Sequence, residues 1–112
     1  HTDYFEGEAD EEYLGDQGQR TYTFMVYLND VDSGGETEFK ILERKIKPRK
    51  GMAVIWNNLN KDGSVNPNTI HQGHRVHSGQ KLIITKWFRS MGQGPMFIKK
   101  SNKTEKTRKK LG

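Results

Sequence analysis

The sequence contains no cysteine and no long apolar run. Without cysteine the chain has no disulfides, no thiolate metal ligands and no thiol nucleophile, so any metal site must use nitrogen and oxygen ligands. No segment approaches the length needed to span a bilayer, and no secretory signal is visible. The default expectation is a soluble, intracellular domain.

The sequence also lacks sustained helical periodicity, and hydrophobic residues make up only 31% of its 112 residues. A chain of this length has room for one domain, since it can bury only about two thirds of its unfolded surface. Its apolar residues fall in short β-branched and aromatic runs between turn-forming clusters, which predicts an all-β sandwich or barrel, with a jelly roll among the candidates. The predicted strands are a short one at 1–5, longer ones at 21–28, 37–46 and 52–56, and two more within 68–89.

Charge is distributed unevenly along the chain. The net charge of +5 belongs to the C-terminal end, where residues 99–112 carry seven Lys and Arg against one Glu. This segment has no aromatic residues of the kind that stack on bases, so it favours a solvated, disordered tail over contact with nucleic acid. We therefore predict a domain at residues 1–98 and a basic tail at 99–112. The acidic start of the chain is interpreted as a solvated loop.

The pair His1 and Asp3 is the first candidate for metal binding. Residues i and i+2 of a strand point the same way, so the two side chains can converge on one ion. A third ligand must come from elsewhere, and three histidines compete for that position: His71, His74 and His77. Two imidazoles and one carboxylate on one side of an ion is the arrangement of non-heme Fe(II) oxygenases.

A lysine opens the apolar run at 81–88. Lys81 shares a strand face with Ile83, Thr85 and Trp87, where a buried ammonium would need a counter-charge. A bound dicarboxylate would supply one. The alternative is that Lys81 lies at the end of the strand with its ammonium in water. The strand pattern alone leaves both interpretations open.

Several landmarks in sequence order carry a family resemblance. They are His1-Thr-Asp3, Gly34-Gly-Glu-Thr-Glu-Phe39, Pro48-Arg-Lys-Gly51 before a Trp-ended strand, His71 with Lys81, and Thr85-Lys-Trp87. Together they resemble the prolyl 4-hydroxylase branch of the Fe(II)- and 2-oxoglutarate-dependent dioxygenases, from residue 1 to about residue 89. The resemblance implies a double-stranded β-helix, a distorted, cupin-like jelly roll. It also implies that strands which precede the His-x-Asp pair in this family are missing here.

The resemblance assigns roles to five residues. It implies that His1, Asp3 and His71 hold Fe(II). Lys81 would bind the distal carboxylate of 2-oxoglutarate, with Thr37 as its hydroxyl partner. The implied reaction hydroxylates a peptidyl side chain, with proline the favoured one. Its cofactors would be Fe(II), 2-oxoglutarate and O2, with ascorbate by family resemblance.

Two further residues are similar in position to substrate-site residues of the family. Arg20 resembles an arginine that faces the substrate, and Trp87 resembles a tryptophan that lines the site. The implied partner is a peptide or protein substrate.

Other polar and aromatic residues receive structural interpretations. His74 and His77 are interpreted as exposed strand or turn residues, and Trp56 as a core residue or pocket wall. Asn57 and Asn58 are interpreted as turn residues.

Two alternatives to the dioxygenase reading remain. In the first, the amine and imidazole of His1 chelate copper with another histidine, as in copper oxygenases that act on polysaccharides. That alternative leaves Asp3 and Lys81 without roles. In the second, the chain is a non-catalytic, truncated binding module of the same fold.

Overall fold

The computed structural model describes residues 1–7 and 11–91 of the chain, and this part is built mostly from strands. The strands are β1 (Arg20–Tyr27), β2 (Ser33–Gly34), β3 (Thr37–Phe39), β4 (Arg44–Ile46), β5 (Ala53–Asn57), β6 (Gln72–Gly73), β7 (Val76–Ser78) and β8 (Ile83–Arg89). One short helix, α1 (Glu11–Leu14), and two 3-10 turns, Gly15–Gln17 and Pro67–Thr69, complete them. The all-β prediction is confirmed. None of the helices in these residues is long and apolar enough to cross a membrane.

The strands form two three-stranded antiparallel sheets and a two-stranded ribbon. The larger sheet has the order β5-β1-β8, the second has the order β4-β3-β6, and β2 pairs with β7. Strand β1 is central in the larger sheet because it is β-branched and aromatic along its length. Its register sets Thr23 opposite Trp56 on one side and Trp87 on the other.

The core lies between the two three-stranded sheets. Thr23, Met25 and Tyr27 alternate along β1 and are all buried, as the period of two requires for one inward face. From the opposite sheet, Phe39 packs edge-on against Trp56 with ring centroids 5.0 Å apart. The hydroxyls of Tyr27 and Thr37 are hydrogen-bonded across the same space at 2.7 Å.

The opposite face of the larger sheet is apolar and exposed in the described part of the chain. Tyr22, Ile55 and Ile84 are 45%, 57% and 56% exposed on this outer face, a fraction too large for core positions. Among the described residues, the larger sheet has apolar side chains on both faces and only its inner face is buried.

Three strand predictions were wrong in detail. The segment predicted as one strand at 37–46 is a hairpin, because the chain turns between β3 and β4. Glu43 closes the turn with a positive φ of 53°, and Ile41 in the same turn is 56% exposed. Residues 1–5 form no named strand, and the segment 68–89 contains three strands instead of two.

The predicted domain boundary falls beyond the described residues. Residues 92–98 of the predicted domain and the basic tail at 99–112 lie outside them. The acidic start contains α1 and a 3-10 turn at Gly15–Gln17, although it was interpreted as a loop.

Candidate metal centre

Three predicted ligands converge on one point. Within the described ranges, His1, Asp3 and His71 are the one group of three metal-binding side chains whose ligand atoms all lie within 4.8 Å of one another. The Asp3 Oδ1 atom lies 3.4 Å from His1 Nε2 and 3.5 Å from His71 Nε2. Two imidazole nitrogens and one carboxylate oxygen on one side of a point fit a divalent iron ion with open positions opposite.

Main-chain pairing brings the two histidines together across 70 residues of sequence. The His1 nitrogen donates to His71 O at 2.8 Å, and His71 N donates to His1 O at 2.9 Å. The two rings then meet edge to face with centroids 4.4 Å apart. His1 is exposed whereas Asp3 and His71 are buried, so the centre is open on the His1 side.

The loop before β6 sets the tautomer of His71. Its Nδ1 lies 2.8 Å from the carbonyl oxygen of Thr69. Because a carbonyl only accepts, Nδ1 carries the proton, and the lone pair of Nε2 faces Asp3 and the metal position. Thr69 is held in turn by a hydrogen bond from its hydroxyl to Asn66 O at 2.7 Å.

The second oxygen of the aspartate is occupied by protein donors. Thr23 Oγ1 donates to Asp3 Oδ2 at 2.7 Å, and Trp87 Nε1 donates to the same oxygen at 3.2 Å. Oδ1 is left facing the two histidines. Trp87 therefore donates a hydrogen bond to the candidate metal ligand Asp3.

A cavity of about 160 Å³ opens beside the ligand cluster. Its lining includes the predicted residues His1, Asp3, Thr37, His71, Lys81 and Trp87, together with Trp56, Ile83 and Thr85. The shared strand face predicted for positions 81, 83, 85 and 87 is therefore observed, and Lys81 points along it into the molecule. The copper alternative gives Asp3 and Lys81 no role, although both line this cavity.

Lys81 and Thr37 are polar residues of the cavity lining, and Tyr27 contacts both of them without lining the cavity itself. The Lys81 ammonium lies 5.8 Å from the centre of the Tyr27 ring. Burial lowers the pKa of Lys81, and the nearby carboxylate of Glu36 partly offsets this. Burial also raises the pKa of Tyr27, and its hydrogen bond with Thr37 offsets only part of this rise. The Tyr27 hydroxyl is therefore neutral and able to donate. Thr37 can then direct its own hydrogen at a bound anion.

The Gly34-Gly35 pair lies where the chain passes close to β7. Both residues have positive φ, 79° and 75°, which glycine adopts without strain. A Cβ at Gly34 would lie 2.3 Å from the carbonyl oxygen of Arg75, and one at Gly35 would lie 3.4 Å from Lys81 Cδ. Gly34 therefore lets β2 approach β7.

Arg20 stacks behind Trp87. Its guanidinium lies 3.9 Å from the centre of the Trp87 ring and 4.6 Å from that of Phe5. Its Nη1 also donates to the main-chain oxygen of Asp3 at 3.5 Å. Arg20 is not among the residues that line the cavity, so its contact with the site passes through Trp87 and Asp3.

Arg89 anchors the neighbouring loop by donating to Tyr13 O at 2.6 Å and to Gly18 O at 2.7 Å.

The two other candidate histidines lie apart from the ligand cluster. His74 is half-buried and pairs with Glu38 at 2.8 Å, which holds the pKa of that carboxyl below its usual range. His77 is exposed. Neither is part of the group formed by His1, Asp3 and His71, so among the three candidate histidines the geometry of the described residues favours His71.

Sequence reasoning missed three residues of the site. Tyr27 and Thr23 share the inward face of β1, so their alternation with outward residues was a usable signal. Asn58 was interpreted as a turn residue, but it is fully buried and donates from Nδ2 to Thr23 Oγ1 at 2.9 Å. No local pattern distinguishes it from its exposed neighbour Asn57.

Curated relatives are prolyl 4-hydroxylases that are longer than this chain. Prolyl 4-hydroxylase 1 of Arabidopsis thaliana is 40% identical over 102 residues, which cover 80% of this chain and 35% of that protein. Prolyl 4-hydroxylase subunit alpha-2 of Gallus gallus is 37% identical over 92 residues, covering 82% of this chain and 17% of that subunit. The chain therefore spans about a third of one relative and about a sixth of the other.

A solved structure shares the fold. The viral collagen prolyl hydroxylase from Paramecium Bursaria Chlorella virus-1, determined with 2-oxoglutarate, matches with a TM-score of 0.67 and 34% identity over 80% of this chain and 49% of that one. The predicted double-stranded β-helix is confirmed. The family model of the 2OG-Fe(II) oxygenase superfamily matches residues 1–89, which include every residue of the site described above. This chain belongs to the 2OG-Fe(II) oxygenase superfamily.

Proposed function

We propose that this chain forms the metal and co-substrate site of a 2-oxoglutarate-dependent dioxygenase that hydroxylates a peptidyl side chain, with proline the favoured residue. The observation that carries the proposal is the cluster of His1, Asp3 and His71 in the same cavity as Lys81. A divalent metal and a dicarboxylate have complementary partners there, and the relatives named as prolyl 4-hydroxylases support the reaction class.

The metal ligands are His1, Asp3 and His71. His71 offers a neutral Nε2 because Thr69 holds the proton on Nδ1, and Asp3 offers Oδ1 because Oδ2 is hydrogen-bonded. When bound, Fe(II) with 2-oxoglutarate and O2 supplies the oxidation of a carbon-hydrogen bond. The protein residues orient the ligands and restrict water on the buried side of the centre.

The distal carboxylate of 2-oxoglutarate binds Lys81 and Thr37. A compact ammonium on a half-buried stem gives a strong charge-assisted hydrogen bond when an anion enters. Thr37 adds a hydroxyl donor, since Tyr27 can donate to it in turn. A bound carboxylate would also relieve the desolvation that lowers the pKa of Lys81.

The substrate peptide approaches on the side of Trp87. This ring is 37% exposed, lines the cavity and is backed by the guanidinium of Arg20. Aromatic surfaces suit the flat, pre-extended backbone of proline-containing peptides. Arg20 thus supports the substrate wall from behind the ring. Ascorbate, assigned by family resemblance, would keep the metal reduced.

The direct test measures succinate release by the natural protein that contains this chain. Assays with Fe(II) and 2-oxoglutarate compare a proline-containing peptide with the same peptide carrying alanine for proline. We expect succinate formation that requires Fe(II) and is stimulated by the proline peptide alone. Equal stimulation by both peptides would remove proline as the target, and no turnover with any peptide would overturn the dioxygenase proposal.

A further inference from the structure

The two most buried polar side chains of the described residues, Asn58 and Thr23, form a hydrogen-bonded chain that ends on the metal-ligand candidate Asp3. Thr23 and Asn58 are 0% exposed and Asp3 is 6% exposed. Burying polar groups costs free energy unless each finds a hydrogen-bond partner. Here Asn58 bonds to Thr23, and Thr23 bonds to Asp3.

The direction of these hydrogen bonds is fixed by chemistry. A carboxylate only accepts, so the one hydroxyl hydrogen of Thr23 goes to Asp3 Oδ2 at 2.7 Å. The Thr23 oxygen can then only accept from Asn58, at 2.9 Å, which requires the amide nitrogen of Asn58 to face it. With the amide reversed, two acceptors would compete for a single hydrogen. Asn58 therefore prevents Thr23 from turning its hydrogen away from Asp3.

Asn58 satisfies this requirement at a cost. Its Oδ1 is buried and has no hydrogen-bond partner among the described residues. The side chain cannot rotate to relieve this without losing the bond to Thr23. Its main chain is also held on both sides, by Asn58 N donating to Thr21 O at 2.7 Å and by Asn66 N donating to Asn58 O at 2.9 Å. A rigid, half-satisfied amide in the core indicates a role beyond packing.

We propose that Asn58 and Thr23 are positioning residues that keep Asp3 bound to the metal through Oδ1 alone. Thr23 and Trp87 occupy Oδ2 from the protein side, while Oδ1 faces both histidines. If the Asp3 carboxylate rotated and bound the metal through both oxygens, it would occupy a second coordination position. The proposal rests on the proposed function, since 2-oxoglutarate and O2 need the positions left open.

The test uses Co(II) in the natural protein that contains this chain, without 2-oxoglutarate or peptide. The visible absorption of Co(II) reports its coordination number and geometry, independently of turnover. Thr23→Val removes the hydroxyl at nearly constant volume, and Asn58→Leu removes the amide together with its unpaired oxygen. Thr23→Ser keeps the hydroxyl, and Asn57→Ala changes the exposed neighbour on the other face of the sheet.

We expect Thr23→Val to weaken Co(II) binding by roughly tenfold or more, the usual effect of losing a hydrogen bond to a metal ligand, and to change the absorption spectrum. Asn58→Leu should act in the same direction with a smaller effect, because Thr23 keeps its hydroxyl but loses its fixed orientation. Thr23→Ser should restore the spectrum and affinity of the unchanged protein. Asn57→Ala should leave both unchanged.

A purely structural role for Thr23 and Asn58 would give a different result. If Thr23→Val and Asn58→Leu lower the melting temperature but leave the Co(II) spectrum and affinity unchanged, the two residues only pack the core and the proposal is wrong. Should one variant not fold, the other decides by the same readout. Failure of the proposed function would give a different result. The protein without substitutions would bind Co(II) but would release no succinate in the assay with Fe(II) and 2-oxoglutarate.

Discussion

At the residue scale, two histidines only three positions apart have unrelated roles. His71 is buried with Nε2 turned to Asp3, whereas His74 is half-buried and bonded to Glu38. We expect His71→Ala to weaken metal binding more than about 100-fold, because loss of a ligand should exceed the 10–100-fold effect of losing a partner of a ligand. His74→Ala should retain metal binding. Titration with Mn(II), followed by electron paramagnetic resonance, measures both, and the opposite order would reassign the third ligand.

The charge of Lys81 gives a second prediction. Lys81→Met keeps the stem and removes the ammonium, so we expect the Kd for 2-oxoglutarate to rise by roughly tenfold or more, as for loss of a charged hydrogen bond. Lys86→Met is the matched control, since Lys86 is exposed on the outer face of β8, the strand that follows Lys81. Calorimetric titration distinguishes them. Equal effects of both substitutions would argue against Lys81 as the anchor.

The pKa of Lys81 predicts a pH dependence with a definite sign. Burial lowers this pKa below the ordinary lysine value, with Glu36 opposing. Binding of 2-oxoglutarate needs the ammonium, so it should weaken as the pH rises towards, and before it reaches, the ordinary lysine value of about 10.4. In the same window the unfolded state holds the Lys81 proton more than the folded state does, so the contribution of Lys81 to stability without ligand should increase with pH. Lys81→Met should remove both slopes, in titrations and urea unfolding at increasing pH.

At the element scale, the approach of β2 to β7 depends on a glycine. Gly34 and Gly51 have similar φ values of 79° and 84°, but a Cβ would meet the carbonyl of Arg75 at 2.3 Å in the first case and nothing within 4 Å in the second. Gly51→Ala should therefore cost only the left-handed strain of about 1 kcal/mol. Gly34→Ala should cost about 3 kcal/mol, because strand separation is added.

Urea unfolding of the two variants measures this difference. The comparison separates steric clash from backbone strain, since both substitutions introduce the same strain. Equal destabilisation by Gly34→Ala and Gly51→Ala would show that β2 and β7 can separate at no cost.

At the scale of the whole molecule, the exposed outer face of the larger sheet predicts self-association of the 112-residue chain. Ile55 and Ile84 lie on this face, and Ile41 is similarly exposed in the β3–β4 turn. We expect the double change Ile55→Thr and Ile84→Thr to weaken association by roughly tenfold or more, since each buried Ile contributes about 1.5 kcal/mol or more. Ile41→Thr should have little effect. Sedimentation velocity measures the association. If the chain without substitutions is monomeric, the predicted self-association is wrong.

The alternation of side chains along a strand explains which parts of the fold were predictable. The inward face of Lys81, Ile83, Thr85 and Trp87 follows from a period of two that is local to the sequence. The hairpin at 37–46 was missed because the alternation continues through its turn, where Glu43 takes a positive φ without a glycine to signal it.

The sequence by itself determined that any metal ligands are nitrogen and oxygen atoms, the order of the family motifs along the chain, and which side chains share a strand face. These features depend on residue identity and on residues close together in the chain. Only the tertiary structure decided that His71 and not His74 meets Asp3, since main-chain bonds between residues 1 and 71 make that choice. Asn58 reaches Thr23 across 35 positions, through strand pairing that no local pattern specifies. Contacts between distant residues depend on the register of the strands. That register is set when the inner faces of the two three-stranded sheets pack against each other.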